Sequence, residues 1–146
     1  MEERYKSKII VDLLLKRKNE NNKEEILLLL RQNTGYLDGY YDLPGGHVEE
    51  DEDLFSAMIR ETKEEIGIDI FREDMKIVHV YHHFRNGMLK LGFSADRYEG
   101  ELVNNEPEKC KELKWFEIGS LPENIIPRIR DEILNVENGV FYGCDE

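Results

Sequence analysis

Gly46-His47-Val48-Glu49-Glu50-Asp51-Glu52, then seven residues, then Arg60-Glu61-Thr62-Lys63-Glu64-Glu65-Ile66-Gly67-Ile68, holds the densest chemistry in this chain. Acidic side chains at Asp51–Asp53 suit a helix start, where they cap free amides and meet the positive end of the helix dipole, and Gly67 suits its end. Between them Phe55, Ile59, Thr62 and Ile66 recur at offsets of four, three and four, which predicts one buried stripe with Thr62 at its edge. On the same helix Glu61, Glu64 and Glu65 are related by three and four residues, so their carboxylates leave one face about 5–6 Å apart at Cβ. That cluster repels itself, and its face points away from the packing stripe. Hard oxygen donors of this kind suit Mg²⁺ or Mn²⁺, and a bound ion removes the repulsion. Arg60 can fix a neighbouring carboxylate through a two-pronged hydrogen bond, and Gly45 and Gly46 lack side chains that would keep a backbone carbonyl from an ion. A solvated acidic helix face would account for any two of these residues but not for the whole arrangement.

Outward from this helix the pattern alternates between strands and turns. Lys8–Arg17 and Glu25–Gln32 read as strands joined across the polar segment Lys18–Glu24, Asn33–Gly39 is turn-rich, and Tyr40–Leu43 is short and extended before the break at Pro44-Gly45-Gly46. Met75–Arg85 and Met88–Tyr98 form a hairpin about Asn86-Gly87, Glu112–Ile118 is a further strand, and Pro127 opens a final helix running to about Asn138. Strands on both sides of a central helix, with a second helix at the end, predict a layered α/β domain.

The 146 residues fit one domain, residues 1–146, and the apolar runs near Ile9–Leu15 and Ile26–Leu30 are far shorter than the roughly 20 residues a spanning helix needs. The start, Met-Glu-Glu-Arg-Tyr-Lys, lacks the basic-then-apolar layout of a secretory signal, and Cys110 and Cys144 form no Cys-x-x-Cys pair; the expectation is a cytoplasmic protein with two free thiols and no membrane partner. A net charge of −12 argues against a nucleic-acid polymer as partner, because neutralising a phosphate backbone needs a cationic surface. An anionic small molecule would need a divalent cation to bridge it to so acidic a chain.

The quoted stretch resembles the Nudix signature, Gly-x5-Glu-x7-Arg-Glu-U-x-Glu-Glu-x-Gly-U with U bulky aliphatic, at all seven named positions: Gly46, Glu52, Arg60, Glu61, Glu64, Glu65 and Gly67. From average residue usage, with Glu doubled, a chance match is on the order of 10⁻⁷ per starting point. Thr62 departs from the pattern at the first U, whereas Ile68 conforms at the second. The flanking Leu27-Leu28-Leu29-Leu30-Arg31-Gln32 and Trp115-Phe116-Glu117-Ile118-Gly119-Ser120-Leu121-Pro122 also resemble the family, particularly its MutT-like members.

The resemblance implies an α/β/α sandwich with a mixed β-sheet, a box helix and a C-terminal helix, and a hydrolase that uses Mg²⁺ or Mn²⁺ on a diphosphate linkage. Carried residue by residue, it implies that Glu64, Glu65 and the Gly45 carbonyl ligate metal, that Glu61 ligates metal or helps activate water, that Arg60 orients Glu61, and that Glu52 supports the metal cluster more remotely. Family members often recruit a further acidic residue, for which Glu106, Glu108 and Glu112 compete, with Glu108 the expected ligand. Arg31 is expected to contact substrate phosphate, or else to be an ordinary strand-end arginine, while Tyr41 and Trp115 either stack on a base or pack in the core. His79 and His83 would face one side of their strand and His82 the other, which favours packing over a zinc site and leaves one to line a base pocket. The expected reaction converts a nucleoside triphosphate to monophosphate and pyrophosphate. The alternatives are ADP-ribose, a nucleotide sugar or a dinucleotide as substrate, or a non-catalytic nucleotide-binding module; the molecule is expected to be a monomer or a homodimer.

Overall fold

The computed structural model describes residues 2–146. Its first strand, β1 (Lys8–Leu14), alternates its side chains between two cores. Val11, Leu13 and Leu15 join the cluster under the first helix, while Leu14 joins the one under the second. The continuous strand expected over Lys8–Arg17 is instead two, because the chain passes at Leu15 from one sheet into β2 (Lys16–Lys18) of another.

The remaining strands are β3 (Glu24–Arg31), β4 (Tyr41–Asp42), β5 (Gly45–His47), β6 (Met75–His83), β7 (Met88–Ala95), β8 (Cys110–Glu117) and β9 (Tyr142–Cys144). One sheet has the order β5-β1-β7-β6-β9, with β1 parallel to β7 and β6 parallel to β9, so it is mixed. The other is built around β3, which pairs antiparallel with β2, β4 and β8. Helix α1 (Leu54–Ile66) supplies Ala57, Met58 and Ile66 to one core, and α2 (Pro127–Glu137) supplies Ile129 and Ile133 to the other. Helices on opposite faces of the strands complete the α/β/α layering expected from the sequence.

Helix α1 has the termini its sequence predicts. Asp53 accepts a hydrogen bond from the Ser56 amide at 2.8 Å, and Gly67 closes the helix in the left-handed region at φ 76°. Its buried stripe differs in detail: Ala57, Met58, Thr62 and Ile66 are fully buried, whereas Phe55 and Ile59 are half-buried flanks. Thr62 is therefore at the centre of the packed face, not its edge, and its buried hydroxyl finds no hydrogen-bond partner among the described residues. The hairpin between β6 and β7 turns through Phe84–Gly87, with His83 paired to Met88, a wider connection than the two-residue turn suggested by Asn86-Gly87.

The glycines of the Pro44-Gly45-Gly46 segment, read as a break, belong to strand β5. It pairs antiparallel with β1, Gly45 beside Asp12 and Gly46 beside Val11. The approach is so close that a Cβ on Gly45 would overlap the Val11 carbonyl oxygen. Glycine is needed here for proximity, and β5 brings the loop ahead of α1 against the sheet at the mouth of a cleft.

Candidate active site

A cleft of about 920 Å³ opens between β5, the acidic face of α1 and the start of α2. Glu61, Glu64, Glu65 and Arg60 line it from α1, Gly45 and Gly46 from β5, Arg31 and Asp42 from the second sheet, and Glu106 and Lys109 from the loop before β8. Residues from five separate elements thus meet at one surface, as the spacing within the box alone could not establish.

Arg60 organises the acidic face. Its Nε and Nη2 donate to the two oxygens of Glu52 at 2.9 and 2.7 Å, Nη1 donates to Glu61 Oε1 at 3.0 Å and to Glu64 Oε2 at 3.2 Å, and Nη2 also reaches the His47 carbonyl at 3.1 Å. The paired hydrogen bond from Arg60, with help from the Glu49 amide, holds the Glu52 carboxyl down at about 2. Both of its oxygens are committed to Arg60 and it does not line the cleft, so Glu52 anchors Arg60 from behind.

Glu61 and Glu65 have the opposite electrostatics. Burial pushes the Glu61 carboxyl up against the opposing pull of Arg60. Glu65 is raised well above the usual carboxylate range, first by burial and then by Glu61, although the Gly45 amide donates to its Oε1 at 2.8 Å. Glu64 remains about half exposed and leans toward Arg60. Among the described residues, no three acidic, histidine or cysteine side chains converge tightly enough to hold an ion alone. The donor set nevertheless fits Mg²⁺ or Mn²⁺, which keep several waters and take few protein carboxylates. Two crowded, half-buried carboxylates lie beside paired glycines, and a Cβ on Gly46 would overlap the Glu61 carboxyl group.

Among the three further acidic candidates, Glu106 lines the cleft and contributes to raising Glu65. Glu108, the expected ligand, is exposed outside it, and Glu112 is occupied by the Tyr41 hydroxyl. Arg31 lies in the cleft with its guanidinium fixed by Asp42 Oδ2 at 3.0 Å, the Tyr36 carbonyl at 2.7 Å and Thr34 Oγ1 at 3.0 Å. Tyr41 is 7% exposed, packs edge-on against Phe116 and does not line the cleft. Trp115 packs against the α1 core with the Arg17 guanidinium 4.2 Å above its ring, also away from the cleft. Both aromatic residues take the packing role that their sequence context left open. His79 and His83 are buried on one face of β6, and His83 lines the cleft.

The sequence reading missed Asp12, Lys90 and Arg128, all of which line the cleft. Asp12 interrupts the apolar run Ile9–Leu15, and Lys90 stands between Leu89 and Leu91, so both carried a signal: a charged residue where a buried strand should be apolar.

A model of the NUDIX domain matches residues 10–135. The chain belongs to the Nudix family. Among curated Nudix relatives, the NAD-capped RNA hydrolase NudC of Stutzerimonas stutzeri is 34% identical over 95 residues, which is 65% of this chain. Its counterpart in Pseudomonas aeruginosa strain LESB58 is 28% identical over 95 residues. The chain's match spans 33% of the length of each of these relatives. A MutT Nudix hydrolase from Burkholderia pseudomallei superimposes with a TM-score of 0.76 at 26% identity, covering 88% of this chain and 97% of its own. The MutT protein of Methanosarcina mazei Go1 shares the fold at a TM-score of 0.75 and 24% identity, covering 94% of this chain and 97% of its own. Among the described residues, no helix is long and apolar enough to cross a membrane.

Proposed function

We propose that this Nudix chain is a divalent-metal-dependent pyrophosphohydrolase acting on a nucleoside diphosphate derivative, with a nucleoside triphosphate converted to monophosphate and pyrophosphate. The observation that carries the reading is the pairing of Glu61 and Glu65 on the wall of a cleft that also holds Arg31 and Lys109. Acidic and basic groups face one space, as a phosphate and its cations require.

Glu61, Glu64, Glu65 and the Gly45 carbonyl are the groups that would hold Mg²⁺ or Mn²⁺. Such an ion supplies charge to offset the phosphate oxygens and lowers the pKa of water at the reacting phosphorus. Arg60 keeps Glu61 in one rotamer through the 3.0 Å contact, anchored from behind by Glu52. Burial raises the Glu61 carboxyl above its ordinary value, which suits a group that accepts a proton from attacking water. Arg31 and Lys109, which line the same cleft, are the cations that would meet phosphate oxygens.

The test is a screen of nucleoside triphosphates, nucleotide sugars and dinucleotides with Mg²⁺ in ¹⁸O-water, with products located by mass spectrometry. The expected products are a nucleoside monophosphate and pyrophosphate, labelled on one of the two. Labelled orthophosphate and a nucleoside diphosphate as sole primary products would overturn the proposal. The named relatives favour a second reading, a dinucleotide joined through a diphosphate, which would give two monophosphates in the same screen.

A further inference from the structure

Three ionisable side chains meet beneath α2. Lys90 of β7 brings its ammonium within 3.0 Å of Glu132 Oε1 and 3.3 Å of Asp12 Oδ2. The side chains of Lys90, Asp12 and Glu132 are 9, 5 and 0% exposed. The parallel register puts Ile10 beside Lys90 and Asp12 beside Gly92, so Ile10, Asp12, Met88 and Lys90 share one face of the sheet. Gly92 makes the space: a Cβ there would stand 2.5 Å from Glu132 Oε2 and 3.3 Å from Asp12 Oδ1.

Lys90 and Asp12 line the cleft, whereas Glu132 lies behind them. Ile10 and Met88 on the sheet side and Ile126 and Ile129 at the start of α2 supply apolar surface beside them, and Asp42, His83 and Arg128 line the same cleft. The two carboxyl groups face one ammonium, so the trio itself carries no net positive charge to attract phosphate. Although close, neither carboxyl group makes a well-angled hydrogen bond. An ammonium has three N–H donors, and these two ion-pair contacts leave donor capacity for a ligand in the cleft that Lys90 lines.

We propose that Lys90 selects the substrate's heterocycle, donating a hydrogen bond to a carbonyl oxygen on a neutral nucleobase held between Ile10, Met88, Ile126 and Ile129. Asp12 and Glu132 are positioning residues that fix the ammonium. The inference rests on the nucleotide reading of the cleft. A base with no carbonyl would strip water from this donor without replacing the hydrogen bond, and buried polar groups built to be satisfied discriminate strongly against such ligands.

The test measures binding, so it does not depend on turnover. Inosine monophosphate and purine riboside monophosphate, which differ at the six-position carbonyl and the adjacent ring proton, are titrated calorimetrically into the full chain. Wild type is expected to prefer inosine at least tenfold. The double variant Lys90→Met with Asp12→Asn removes the donor while leaving the formal charge of the trio unchanged. It is expected to narrow the preference to threefold or less by weakening inosine alone. If that protein does not fold, Lys90→Arg, which keeps the charge but moves the donors, is expected to narrow it in the same way. Equal binding of both ligands by wild type, binding of neither, or full preference in a folded variant would overturn the assignment. None of those results would touch the hydrolase reading, which stands or falls on the isotope experiment.

Discussion

The carboxyl group of Glu61 occupies the space that a side chain on Gly46 would need. Two residues fifteen positions apart are thereby coupled sterically: the strand can approach the helix only because one has no Cβ, and the acid is confined because the strand is there. Gly46→Ala should push Glu61 from the rotamer that Arg60 holds. The expected result is a loss of at least tenfold in kcat with the fold retained, checked by steady-state kinetics beside circular dichroism.

Glu65→Gln should leave the fold intact, since an amide oxygen can still accept from the Gly45 amide. It removes a charged group proposed to hold the metal, so turnover at saturating Mg²⁺ should fall at least a hundredfold. Near-normal kcat in the folded variant would refute its assigned role.

The same substitution makes a prediction about pH. The Glu65 carboxyl is raised in the folded state, so the folded chain binds more protons than the unfolded one above the ordinary glutamate range. Stability from this group therefore falls as pH rises from about 4.5 through the raised value. Without metal, Glu65→Gln should melt higher than wild type at pH 7.5, and the gain should vanish near pH 5. Differential scanning calorimetry at the two pH values decides it. Millimolar Mg²⁺ or Mn²⁺ should raise the wild-type melting temperature at pH 7.5, because a bound ion relieves the same repulsion.

Thr62 carries a fully buried hydroxyl with no partner at the middle of the α1 stripe. Valine has nearly the same shape and no polar group to desolvate. Thr62→Val should therefore stabilise the chain by about 1 kcal/mol, read from urea unfolding, with kcat unchanged because the residue faces away from the cleft.

Much of α1 was legible because its information is local. Asp53, Gly67 and the spacing of Glu61, Glu64 and Glu65 act within one helix, and the structure places those termini and that acidic face as the spacing implies. That Glu106 and not Glu108 lines the cleft depends on the path of an irregular loop, which two-residue spacing does not encode. Strand β5 was hidden because its glycines resemble a turn and disclose their purpose only against Val11 and Asp12. The trio of Asp12, Lys90 and Glu132 was hidden for a different reason. Each is a single charged residue in its own element, and only the β1–β7 register and the seating of α2 bring them together.

That register also sets an order of assembly. Strand β1 lies between β5, which presents the glycines of the site, and β7, whose Met88 pairs with Lys8 eighty positions earlier. During synthesis from the N-terminus, the run Ile9–Leu15 emerges long before its parallel neighbour exists. The β6–β7 hairpin closes locally, whereas β1 must await it at the cost of a long loop closure. The cleft needs β1, β7 and the start of α2 together, so it is among the last parts of the molecule to take shape.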